Sequence, residues 1–173
     1  MGTLDKSSAS AAYAKGLAKY VAKDYPAAIS YIDEAIAINA VENNTELVPQ
    51  NAWYFYARGL AKLALKRPNE ARVDFKNAID CKPDVAGFHY ALGTLAWSQT
   101  KPDEALKYVQ DAIDILAAHP RTKDNENLSI SDYYTSKAVM YRTLGQYKNA
   151  IDCIRKAEEY KNENKRMEVP QTI

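Results

Sequence analysis

Residues 52–83 read AWYFYARGLAKLALKRPNEARVDFKNAIDCKP, and residues 86–116 read AGFHYALGTLAWSQTKPDEALKYVQDAIDIL. Laid over one another they agree at Gly59 and Gly93, Pro68 and Pro102, Ala71 and Ala105, and Ala78 and Ala112, each pair 34 residues apart. Phe75 falls on Val109 in the same register, giving Ala71–Phe75–Ala78 and Ala105–Val109–Ala112. The set recurs as Ala28–Ile32–Ala35 and Ala150–Ile154–Ala157. Spacing i, i+4, i+7 puts all three side chains on one helical face. Two small residues bracketing a larger one let a neighbouring helix approach closely, with the larger side chain wedged between them. Gly16, Gly59 and Gly93 each stand twelve residues before the first alanine of their set, and Ala138 takes that place in the fourth. The outer junctions are longer: Gly16 to Gly59 is 43 residues and Ala105 to Ala150 is 45. A repeated helix-turn-helix unit decides the architecture before any other feature does.

The 34-residue period, the helix glycine, the aromatic or large apolar residue of the second helix and the closing Pro83 resemble the tetratricopeptide repeat. The resemblance covers roughly residues 9–160. The first repeat departs most, with Ala12 and Lys15 where the family prefers a large aromatic and a leucine. It implies an all-α solenoid of four helix pairs wound as a right-handed superhelix. Repeats are expected at about 9–42, 52–85, 86–119 and 131–164, with inserts at 43–51 and 120–130. An N-terminal extension (1–8) and a C-terminal tail (166–173) flank the repeat domain, 9–165.

Local signals agree. Pro26, Pro68 and Pro102 sit where second helices begin, a place that tolerates proline because its missing N–H would have no partner there. Leu144-Gly145-Gln146-Tyr147 serves as the fourth turn, and the last helix is expected from about Tyr147 to Lys165. Asn44 or Thr45 is a candidate cap for the third helix. The polar run His119-Pro120-Arg121-Thr122-Lys123-Asp124-Asn125-Glu126-Asn127 reads as a loop, and residues 119–128 as the most mobile internal segment, with the first proteolytic cut near Arg121 or Lys123.

Charge and composition exclude several functions. The 23 Lys and Arg nearly balance the 22 Asp and Glu, so the chain lacks the basic excess of a dedicated nucleic-acid binder. No apolar run approaches the ~18 residues that a membrane span needs. The opening MGTLDKSSAS has no signal-peptide core, and Lys6 stands where a myristoylation signal wants Ser or Thr. A cytoplasmic location is the expectation.

Nothing in the sequence assembles a catalytic or metal site. His89 and His119 are isolated, and no CxxC, HExxH or phosphate-loop pattern occurs. Cys81 and Cys153 lie in equivalent second helices of different repeats and read as reduced packing residues. Carboxylates such as Asp33, Glu34, Glu158 and Glu159 read as solvated surface. The expectation is a non-enzyme with no metal or cofactor.

The resemblance implies that first helices line an inner surface, at six and three residues before the helix glycine and one, four and five after it. Those positions hold Tyr13, Leu17 and Tyr20, then Trp53, Tyr56 and Leu60, then Tyr90, Thr94 and Trp97, with Arg142 in the fourth repeat. Val21 and Leu63 also fall there and are equally readable as core. So many rings predict an aromatic groove for an apolar or amphipathic peptide, Arg142 pairing an acidic residue. The family's chaperone-binding subclass clamps a terminal carboxylate with Lys, Asn and Arg. The equivalent places here hold Tyr13, Leu17, Ala57, Gly87 and Ala91, so no clamp is expected. A protein-binding adaptor leads. Self-assembly as a homo-oligomer or module, and a small-molecule sensor using the rings, remain alternatives. The tail Val169-Pro170-Gln171-Thr172-Ile173 could also occupy the groove.

Overall fold

The computed structural model describes residues 6–43, 47–118, 125 and 129–168. Among these residues eight α-helices follow in order: α1 Lys6–Val21, α2 Tyr25–Asn43, α3 Ala52–Ala64, α4 Pro68–Cys81, α5 Ala86–Ser98, α6 Pro102–Ala118, α7 Ile130–Thr143 and α8 Tyr147–Glu168. A 3₁₀ turn, Pro49–Asn51, leads into α3. No strand occurs among the described residues. The last helix runs three residues past the expected Lys165. Asn44, Thr45, residues 119–124 and 126–128 and the tail 169–173 lie outside the described residues, whereas Asn125, within the segment expected to be most mobile, is described and fully buried. The cap, loop and tail expectations placed on them therefore have no structural counterpart here.

Each helix pair closes through the same turn. Lys23, Lys66, Thr100 and Gly145 all adopt positive φ, between 57° and 73°, and each stands seven residues after the helix glycine or its substitute. The next residue donates its N–H back across the turn: Asp24 to Lys19 O, Arg67 to Lys62 O, Lys101 to Ala96 O and Gln146 to Tyr141 O, all at 2.9–3.0 Å. This is the Schellman arrangement, which satisfies carbonyls left open at a helix end. Only the fourth turn uses glycine, the residue that takes this conformation without strain.

The chain divides into two compact units, 1–84 and 85–173. In the first, α1 packs on α2, α2 on α3, and α3 on α4. In the second, α5 packs on α6, α6 on α7, and α7 on α8. The repeated alanines are at the centre: Ala28, Ala35, Ala71, Ala78, Ala105 and Ala112 are fully enclosed, with Ile32, Phe75 and Val109 between them. The glycines make room for these wedges. A Cβ at Gly16 would lie 2.7 Å from Ile32 Cγ1, and one at Gly59 2.6 Å from Phe75 Cε1.

The fourth pair departs from the expected wedge. Ala150, Cys153 and Ala157 are buried, but Ile154 is 49% exposed. Ala138 carries a methyl where the other pairs have bare glycine, and that methyl is itself buried.

Both longer junctions are tied down by a buried asparagine. Asn51 ends the 3₁₀ turn, accepts a hydrogen bond from Asn39 Nδ2 at 2.6 Å and donates to Ile36 O at 3.5 Å. Asn125 Oδ1 accepts from the Ala86 N–H at 3.1 Å, so the second junction supplies a cap to the first turn of α5. Neither group is exposed, and burying an amide is tolerable only with such partners.

Candidate functional site

Within residues 1–84 the predicted inner positions come from α1 and α3. Tyr13, Leu17 and Tyr20 share a face of α1 by spacing i, i+4, i+7, and Trp53, Tyr56 and Leu60 share one of α3. The rings meet. Tyr13 lies against Tyr54, centroids 4.4 Å apart, and its hydroxyl reaches Trp53 O at 3.5 Å. Trp53 and Tyr56 meet edge to face at 5.8 Å, and Tyr56 backs onto Phe75 at 5.7 Å. Tyr20 turns its edge to Tyr25 at 5.5 Å. Tyr13, Tyr20, Trp53, Tyr56 and Leu60 are half-buried, and Leu17 is 38% exposed. Val21, by contrast, is 80% exposed and belongs to no core.

This partial burial perturbs the phenols. Burial pushes the Tyr13 hydroxyl up to about 12, with Tyr54 and Tyr56 adding to the effect. Burial, then the neighbouring Tyr20, raises Tyr56 as well. Such hydroxyls stay protonated and are hydrogen-bond donors at neutral pH.

Within residues 85–173 the predicted positions are more scattered. Tyr90 stacks on Tyr133 at 4.5 Å and its hydroxyl lies 2.9 Å from Ser136 Oγ. Trp97 is half-buried. Thr94 is exposed and turns its hydroxyl back to Ala91 O at 2.9 Å. Arg142 is exposed near the end of α7.

An ionic network was missed by the sequence reading. Arg58 of α3 donates from Nε and Nη2 to Asp74 of α4, the shortest bond being 2.7 Å, and from Nη1 to Asp33 of α2 at 2.5 Å. Lys62 Nζ adds a 2.8 Å contact to the same Asp74. The Asp74 side chain is 1% exposed, so these bonds stand in for its lost water. Burial works against the Arg58 charge, but the bonds and charges of Asp74 and Asp33 outweigh it and raise its pKa. Asp33, expected as plain solvated surface, is the outer member of this network. The signal available in the sequence was Asp74 itself, one residue before the wedge Phe75 on a buried face.

No group of three His, Cys, Asp or Glu side chains is placed to hold a metal among the described residues. Cys81 and Cys153 are both buried. Burial pushes the Cys81 thiol up to about 11, with Asp80 adding, and also raises Cys153. A thiol shifted that way is not an activated nucleophile. No helix among the described residues is long and apolar enough to cross a membrane.

Comparison with known proteins agrees with the helix pairs. Residues 56–120 and residues 131–164 each match a family model described as tetratricopeptide repeat. The small glutamine-rich tetratricopeptide repeat-containing protein 2 of Saccharomyces cerevisiae is 28% identical over 127 residues, 73% of this chain and 35% of that protein. The chain thus spans about a third of that relative's length. The crystal structure of MamA superposes with a TM-score of 0.72 at 17% identity, covering 91% of this chain and 81% of that one. BtubC from P. vanneervenii gives 0.77 at 15% identity, covering 91% and 64%. At such identity the structural likeness carries the fold alone. Helix pairs in this register, matched by repeat models over both units, have one reading: the chain belongs to the tetratricopeptide repeat family.

Proposed function

We propose that the chain is a non-catalytic adaptor whose α1–α3 aromatic strip takes an apolar or amphipathic segment of another protein. Members of its family generally mediate protein–protein interaction and scaffolding, and the fold is typically non-catalytic. The observation that carries the reading is the half-exposed cluster of Tyr13, Tyr20, Trp53 and Tyr56 beside the exposed Leu17. Rings of this kind offer large contact area at low entropic cost, and protonated hydroxyls can satisfy peptide carbonyls. Within residues 85–173, Tyr90, Thr94, Trp97 and Arg142 are the positions proposed to contact a ligand, Arg142 pairing an acidic residue.

Selection from a displayed peptide library, followed by titration of the best binder, tests this. Tyr56→Ala and Trp53→Ala should each weaken binding by about 2 kcal/mol. Leu17→Lys, at an exposed side chain, should weaken it with no change in melting temperature. Full binding by Leu17→Lys, together with loss of stability alone in the ring variants, would make the rings simple packing.

Self-association is the second reading, favoured by Tyr147, Ile151 and Ile154, which are 66%, 57% and 49% exposed on one face of α8. Sedimentation across a wide concentration range tests it. Dimers abolished by Ile154→Lys would support it, and a monomer throughout would end it.

A further inference from the structure

The repeat lets one unit serve as the reference for the other. Arg58 stands one residue before Gly59, and Lys137 stands one before Ala138. Asp74 follows Ala71 by three, as Cys153 follows Ala150, and Asp33 follows Ala28 by five, as Gln110 follows Ala105. In residues 1–84 a cation on the middle helix is held by carboxylates from the helices on either side. In residues 85–173 the cation is kept, but both carboxylates are gone.

The local structure bears the consequence. Lys137 Nζ donates to Gln110 Oε1, whose amide is fixed by Nε2 donating to Asp114 at 2.7 Å. No carboxylate among the described residues bonds Lys137. Its ammonium rests 5.7 Å over the Tyr141 ring, and Lys156 Nζ rests 5.4 Å over the Tyr134 ring. Between these groups α6, α7 and α8 leave a cavity of about 160 Å³, lined also by Asp152 and Cys153. That is close to the ~150 Å³ that admits a benzene molecule. Asp152 is engaged by Arg155 at 3.3 Å. Burial lowers the Lys137 pKa, Lys156 lowers it further, and Cys153 and Asp114 oppose the shift. A half-buried ammonium in this state gains most from an entering anion.

We propose that the α6–α7–α8 cavity binds a carboxylate supplied from outside the chain, with Lys137 and Lys156 as its cationic donors. The carboxylate takes the place that Asp74 and Asp33 fill for Arg58. It can belong to an acidic side chain or chain end of a polypeptide, or to a free small carboxylate. The site uses none of the aromatic strip residues and stands independently of the adaptor reading.

Amide NMR titration of the full chain with sodium acetate, against sodium chloride at equal ionic strength, tests this. A second arm uses an acidic hexapeptide and its Asp→Asn counterpart. Saturable shifts centred on Lys137, Cys153 and Lys156 are expected in at least one arm. An effect of the acidic peptide well beyond acetate assigns a polypeptide source, and equal effects assign a free carboxylate. Cys153→Asp supplies the missing internal partner and should weaken binding about tenfold or more, whereas the nearly isosteric Cys153→Asn should retain it. Lys137→Gln should lose the response too, which keeps the test decisive if Cys153→Asp does not fold. No saturable shift in either arm, equal responses from the two Cys153 variants, or an unchanged response in Lys137→Gln would overturn the proposal.

Discussion

Arg58 and Asp74 form a bidentate ion pair, with Nε and Nη2 reaching the carboxylate at 2.7–3.2 Å, in a place where Asp74 has 1% of its side chain exposed. The pair joins α3 to α4, and the further bond to Asp33 extends it to α2. Removing Asp74 leaves Arg58 and Lys62, only 15% and 14% exposed, without their buried counter-ion. Asp74→Ala should therefore cost about 3–5 kcal/mol. Asp33→Ala, at a carboxylate 51% exposed, should cost less than about 1 kcal/mol. Urea denaturation of both variants checks the contrast, and equal costs would mean that the network is solvated.

The alanine–wedge–alanine register can be tested at the second repeat. Ala71 has no exposed surface, so Ala71→Leu should overpack the α3–α4 contact at about 1–3 kcal/mol. Phe75→Ala should cost about 3–5 kcal/mol by leaving a cavity beside Gly59. Lys76→Ala, at the exposed next position, should be close to neutral. Thermal melts should place Phe75→Ala lowest, Ala71→Leu next and Lys76→Ala close to the parent chain.

Asn125 caps a helix that begins 39 residues before it. Asn125→Ala should leave the Ala86 N–H buried without this acceptor, at about 1–2 kcal/mol. Hydrogen exchange at the Ala86 amide should quicken in the variant while amides at the centre of α5 hold. Unchanged exchange at Ala86 would mean that this bond adds no protection.

Alkaline pH should act through Tyr13. Its hydroxyl titrates near 12 in the folded chain but near 10.0 when unfolded, because burial disfavours the phenolate. The folded state therefore keeps a proton that the unfolded state releases, and stability is fully present below about 10 and falls as pH rises toward 12. Tyr13→Phe should flatten this decline, measured as melting temperature against pH. An unaltered slope would assign the decline to other groups.

The small–large–small sets, the glycine twelve residues upstream and the prolines at second-helix starts are short-range patterns. Helical periodicity alone converts each into a buried face, which is why Ala28, Ala71 and Ala105 are enclosed where the sequence puts them. The same periodicity places Tyr13, Trp53 and Tyr56 on facing sides of α1 and α3, but not Tyr54, whose buried ring against Tyr13 depends on how the two helices lean together.

What only tertiary structure decided are the pairings between residues far apart in the chain. Arg58 with Asp33 and Asp74, Asn39 with Asn51, and Ala86 with Asn125 join side chains or backbone groups 12 to 39 residues apart. No repeat period dictates them, because the partner residues vary from one repeat to the next. The exposure of Ile154 is of the same kind. Its spacing within the set is that of Ile32, yet Ile32 has no exposed surface and Ile154 is 49% exposed. Local sequence determined which residues could be buried, and close packing between helices determined which of them were.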